Sequence, residues 1–171
     1  MGNTWGDQIV WSEPHSIHSL THAHGARSVI PKERGYYAFV SENAKPGDEN
    51  SLYIGIAVGR SGLYQRLSAY LRGTISLDKA KRMKHEGKLR LSFARIKGLD
   101  GEGSAQTNTV ANDKLIHLCW AVAPFHFSGR GGAEREMAFM LERALINALR
   151  PIYNHAKWDR EMDFDLDDEA F

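Results

Sequence analysis

The chain has 171 residues, 42% hydrophobic and 10% aromatic, with one cysteine and a formal net charge of +1 at pH 7. That length fits one domain, or one domain with arms. No apolar run approaches the ~20 residues of a membrane helix, and the opening MGNTWGDQIVW lacks the basic-then-apolar order of a secretion signal. A cytoplasmic protein without membrane contact is expected. Cys119, inside the run LIHLCWAVA, reads as a core residue, and alone it can form no disulfide within the chain.

The net charge conceals an asymmetry. Residues 159–171 carry seven acids and one base, which leaves the rest of the chain with 21 Lys+Arg against 14 Asp+Glu, or +7. A basic body with an acidic tail suits a polyanionic ligand better than a neutral small molecule. A solvated surface with a solubilising tail is the plainer alternative.

Residues 1–34 show little periodicity and are read as an N-terminal arm, in which Trp5, Ile9, Val10 and Trp11 can form a short strand or lie over the core. PHSIHSLTHAHG follows, with His15, His18, His22 and His24. No cysteine accompanies these histidines, so a polar or nucleic-acid-contacting segment is preferred to a zinc site. GYYAFVSE (35–42) and LYIGIAV (52–58) have strand composition, and AKPGDENS between them is a turn, so the pair is an antiparallel hairpin.

GRSG then leads into LYQRLSAYLRG, where Leu63, Leu67, Tyr70 and Leu71 form one apolar helical face and Arg66 neighbours Tyr70 one turn on. SLDKAKRMKHEG (76–87) reads as a second helix ended by Gly87. Lys79, Lys81, Arg82, Lys84 and Lys88 give this region a basic, phosphate-seeking face. KLRLSFARIKG (88–98) alternates as a strand does, 98–113 is a polar loop, and KLIHLCWAVAPF (114–125) is a continuous apolar run read as a central strand.

AEREMAFMLERALINALRPIYN (133–154) is the clearest helix. Met137, Met140, Leu141, Ala144, Leu145, Ala148 and Leu149 make a wide apolar stripe, Glu134 and Glu136 favour its start, and Pro151 ends it. Glu142 lies near the edge of that stripe, where a carboxylate needs a partner or a task. HAKWDREM is read as a short last helix, and DFDLDDEAF as a disordered tail.

Taken in order, these residues resemble the GIY-YIG nuclease family. Gly35-Tyr36-Tyr37 stands where the family has Gly-Ile-Tyr, and Tyr53-Ile54-Gly55 matches the second half of its name. LYQRLSAYL looks like the family's arginine helix, and ERALINALRPIYN is similar to its Glu-x-x-Leu-Ile…Pro-x-Tyr-Asn block. The resemblance covers roughly 35–72 and 115–154. Departures are a fifteen-residue gap between Tyr37 and Tyr53, about three extra residues near Arg60–Gly62, Ile56 at a position that is often polar, and Tyr70 where histidine is frequent. The implied fold is α/β of the α+β type: a small, mainly antiparallel sheet of three or more strands flanked by helices. The implied domain spans 35–158, with an insert around 74–113, an arm at 1–34 and an acidic tail at 159–171.

The implied activity is metal-dependent hydrolysis of DNA phosphodiesters, in a restriction or defence setting. A repair or structure-specific nuclease is the alternative, and a nucleic-acid-binding module on a nuclease scaffold is the non-enzymatic one. Glu142 would hold one Mg²⁺ (or Mn²⁺), since one carboxylate plus waters and a phosphate is a normal set for that ion. Arg66 offers a planar fork to the scissile phosphate. Tyr37 is the candidate general base, and Tyr53 would position water or phosphate. Tyr36 should face away from Tyr37, because side chains alternate along a strand. Tyr70, Asn154 and Gly55 would support the site, by a further contact, by orienting the chain and by allowing close backbone approach respectively.

DNA is the expected partner, and a palindromic target would call for a homodimer. The tail MDFDLDDEAF also resembles the acidic, Phe-ended tip with which bacterial single-strand DNA-binding proteins recruit partner proteins. Folding back onto the basic face, or simple solubilisation, explains it more readily.

Overall fold

The computed structural model describes residues 9–71, 86–99, 109–125 and 132–154. The basic residues Lys79, Lys81, Arg82 and Lys84, Trp5, all but the last two residues of the helix expected over 76–87, the helix expected over 155–162, and the acidic tail lie outside them.

Among the described residues four antiparallel strands form one sheet: β1 (His15–Ser16), β2 (Gly35–Val40), β3 (Ser51–Ala57) and β4 (His117–Val122), in the spatial order β1-β4-β2-β3. Five described α-helices accompany it: α1 (Ile17–His22), α2 (Gly62–Tyr70), α3 (Glu86–Lys97), α4 (Thr109–Leu115) and α5 (Ala133–Leu149). Short 3-10 turns span Ala26–Val29 and Ile152–Asn154. This is an α+β fold, and no described helix is long and apolar enough to cross a membrane.

The sheet separates two cores. Tyr37, Phe39, Tyr53, Leu118 and Trp120 face the layer that contains α1, α2 and α3. Tyr36, Ala38, Ile54, Cys119 and Ala121 face α5, which contributes Ala138, Leu141, Leu145 and Ile146. β2 lies between two neighbours and is buried throughout, so its two faces feed both cores. Cys119 is among the buried residues, and burial pushes its thiol up to about 12. From residue 9 onward the expected arm is woven into the fold. Ser12 donates its N–H to the Trp120 carbonyl at 2.7 Å, β1 extends the sheet, and Ile17, Leu20 and Ile30 are buried.

The hairpin, α2 and α5 fall where the sequence places them. Residues 88–98 do not form the expected strand: 88–97 belong to α3, which also runs through Gly87 rather than ending there. Leu89, Leu91, Phe93 and Ile96 only partly satisfy a period of two. The buried set Leu91, Ser92, Ala94, Arg95 and Ile96 follows helical steps. Its decisive member is Arg95, 2% exposed, which hydropathy alone would send to the surface.

Arg95 Nε and Nη2 donate to the two carboxylate oxygens of Asp113 at 2.6 and 2.8 Å, and Nη1 donates to the Tyr70 carbonyl at 3.1 Å. Asp113 sits in α4, so the last residues of the expected 98–113 loop are helical instead, ordered by this pair. The strand expected from residue 114 begins only at His117, because Lys114 and Leu115 complete α4.

The apolar stripe of α5 is also narrower than its composition implies. Leu141, Leu145 and Ile146 are buried, whereas Met137, Met140, Ala144 and Ala148 are exposed. The helix ends with Arg150 in the left-handed region at φ 42°, immediately before Pro151. A residue that precedes proline is disfavoured in the right-handed helical region, so the reversal falls there.

Removing one partner of a buried ion pair strands the other without water. Asp113→Ala should therefore cost about 3–5 kcal/mol of unfolding free energy, while Arg95→Met combined with Asp113→Leu should recover most of it. Urea denaturation of both variants measures the difference.

Candidate active site

Tyr37 is central. It stands on β2 directly opposite Gly55 on β3 and Trp120 on β4. Its ring lies across Gly55: a Cβ at that position would come within 2.5 Å of both Cζ and the hydroxyl of Tyr37. The close approach expected at Gly55 is therefore that of a side chain within the site. Tyr53, on the same face, pairs with Phe39 across the hairpin, and its ring centroid is 6.1 Å from that of Tyr37.

α2 supplies the next two groups. Its first turn is fastened to the preceding loop, since Leu63 and Tyr64 donate their N–H groups to the carbonyls of Glu33 and Pro31 at 2.8 and 2.9 Å. Gly62, at φ 52°, makes that junction where a side chain would strike the Lys32 and Glu33 carbonyls. Leu63 and Leu67 anchor the helix in the core. Arg66 and Tyr70, one turn apart, then meet the same oxygen: Arg66 Nε donates to the Tyr37 hydroxyl at 3.3 Å, and the Tyr70 and Tyr37 hydroxyls are 3.0 Å apart. Tyr53 joins the set through a hydrogen bond with Tyr70.

Glu142 belongs to α5, in the other layer. It is 7% exposed on the sheet-facing side of α5. Its charge acts on Tyr53 and on Tyr36. Tyr53, on edge strand β3, is subject to the charges of both Glu142 and Arg66. Tyr36 faces the opposite core, as alternation requires, and its hydroxyl donates to the Ala138 carbonyl at 3.1 Å. Asn154 is buried after α5 and embraces Ile54: Oδ1 accepts from the Ile54 N–H and Nδ2 donates to its carbonyl, both at 2.9 Å. It thereby ties the end of the Glu142 helix to the strand that carries Tyr53.

The electrostatics assign different roles to these groups. Burial, followed by the Tyr37 oxygen, raises Tyr53 and Tyr70 well above the ordinary phenol value. Both are hydrogen-bonding phenols at neutral pH. Arg66 is held more firmly in its charged form, mainly by the Tyr37 oxygen against the opposing effect of burial. Arg66 is also the most accessible of these four: it is half-buried, while Tyr37, Tyr53 and Tyr70 are buried.

Of the expected basic face, Lys88 lies within α3, and Lys79, Lys81, Arg82 and Lys84 lie outside the described residues. His15 stacks on Trp120 with ring centroids 4.8 Å apart, and the His18 and His22 rings are 4.6 Å apart. Among the described residues no group of three or more His, Cys, Asp or Glu side chains is arranged to hold a metal. A broad surface depression near His22, His24, Arg27, Lys32 and Tyr64 is lined by none of the candidate residues.

Arg95 is a supporting residue that sequence reasoning missed. Through the Tyr70 carbonyl it fixes the end of α2 that carries the Tyr70 phenol, and its only signal in the sequence is a charge among apolar helical positions. Comparison with known proteins finds no matching family model, no matching curated protein and no matching solved structure.

The raised phenols have a consequence at alkaline pH. In the unfolded chain Tyr53 and Tyr70 would ionise near pH ~10, whereas folding keeps them protonated. Their contribution to stability is present below that pH and is lost as pH rises through and beyond it. Melting temperature should therefore fall above about pH 10. In the Tyr53→Phe/Tyr70→Phe double variant the fall should be shallower, as thermal melts across that range will show.

Proposed function

We propose that the chain is a metal-dependent DNA endonuclease of the GIY-YIG type, acting in restriction or defence. The observation that carries this reading is the meeting of Arg66 and Tyr70 on the Tyr37 hydroxyl, with Tyr53 beside them under the charge of Glu142. Phosphodiester hydrolysis requires a positioned cation for the charge on phosphorus, an acceptor for the proton of the attacking water, and stabilisation of the departing oxygen. Arg66 provides the fixed positive charge and the more accessible face. In this scheme the Tyr37 oxygen takes the proton of the attacking water as a phenolate, its own proton having passed to solvent beforehand, and the Arg66 N–H it receives would stabilise the anion. Protonated Tyr53 and Tyr70 hold that oxygen and the water in place.

Glu142 fits a single hard divalent cation, Mg²⁺ or Mn²⁺. Such an ion takes a protein carboxylate and fills its remaining positions with water and substrate phosphate. When bound it supplies positive charge beside the phosphate; the protein positions the carboxylate through the packing of α5 and the Asn154 clasp.

One observation favours the non-enzymatic alternative, a nucleic-acid-binding module on a nuclease scaffold: Tyr37 is 0% exposed, so substrate would have to displace cover to touch it. A plasmid-cleavage assay with Mg²⁺ separates the two readings. Wild-type protein should cut, and discrete bands would assign restriction. Glu142→Ala, Arg66→Ala and Tyr37→Phe should each slow cutting by about 10²-fold or more. Cleavage restricted to branched or damaged DNA would instead assign repair. Retained DNA binding with no cleavage of duplex, branched or single-stranded substrates would leave the binding module.

A further inference from the structure

The exposed side of α5 is apolar where an ordinary surface helix is charged. Ala133, Met137, Met140, Ala144 and Ala148 recur at steps of four, three, four and four, and all are exposed, Met140 at 70%. At 100° per residue they form one stripe along the helix, contiguous with the face that packs on the sheet. Two exposed charges border it on the side away from the sheet: Glu136, about one turn before Met140, and Arg143, about one turn after.

That charge order is antisymmetric about Met140 to within one residue, Glu136 lying four before it and Arg143 three after, an offset of about 1.5 Å that long side chains span, and this matters when a surface meets itself. A two-fold axis perpendicular to the helix at Met140 brings residues equally far before and after it into opposition. In such an antiparallel pair Arg143 stands beside Glu136 of the partner subunit, and the same ion pair recurs across the axis. A parallel pair would put Glu136 and the partner's Arg143 about two turns apart and on opposite flanks, so this ion pair would not form. The small alanines allow the two helices to approach, and the methionines, flexible and polarisable, fill the space between them.

We infer that this face of α5 binds a second copy of the chain, as an antiparallel helix pair centred on Met140. The inference does not depend on catalysis. One helix pair buries less than a standard protein interface, so the dimer is one that dilution dissociates.

Sedimentation velocity on the full chain, from about 1 to about 100 µM, reads this association. Wild-type protein should move from monomer towards dimer over that range. Met140→Glu should weaken association by about 10-fold or more, with an unchanged far-UV circular dichroism spectrum. Glu136→Arg and Arg143→Glu should each weaken it, and the double exchange should restore it by re-forming the pairs with reversed sign. A wild-type chain that stays monomeric throughout overturns the proposal. So does a dimer that Met140→Glu leaves intact, or a double exchange that fails to restore association.

Discussion

The Tyr37 ring can occupy its place only because the residue opposite has no side chain. Gly55 leaves open the space above β3, and the ring fills it. From there the hydroxyl can be met by two side chains one turn apart on α2, and the docking of that helix on the sheet follows the meeting. The central strand, the edge strand and the arginine helix are thus fixed against one another through a single phenol. Around it lies a tight aromatic set, with the Tyr70 ring 5.6 Å from Tyr37 and 5.3 Å from Phe39.

A second constraint acts from behind. Arg95 and Asp113 are both almost wholly buried, and a charge taken out of water costs several kcal/mol unless its partner is well placed. Here the guanidinium is bidentate, and its remaining nitrogen satisfies the carbonyl at the end of α2. Asn112 adds a bond to the Arg95 carbonyl at 2.9 Å. α3 and α4 therefore brace the helix that carries Arg66 and Tyr70.

The legibility of each element in the sequence followed its physics. The hairpin was readable because turn residues separate two β-rich runs, and α2 because Leu63, Leu67, Tyr70 and Leu71 mark one face. Tyr36 and Tyr37 could be assigned to opposite faces from alternation alone. α3 could not be recognised, because its organising residue is a buried arginine whose partner lies eighteen positions away. The boundary of α4 was hidden for the same reason. The true buried face of α5 was obscured by an excess of apolar residues, more than one side of a helix can bury against this sheet. Of the candidate site, residue types and their order were visible, but the position of Glu142 in a different layer from Arg66, with Tyr53 under the charge of both, was not. That placement depends on which layer each helix occupies, which local pattern does not encode.

The Asn154 clasp has another effect. β3 is an edge strand, and an edge strand normally displays unpaired N–H and C=O groups that invite a strand from another chain. At Ile54, midway along it, a single carboxamide occupies both groups, donating and accepting as a neighbouring strand would. The opposite edge, β1, is only two residues long and offers little to pair with. With one border closed at its midpoint by a side chain and the other cut short, the four described strands offer little template for aggregation.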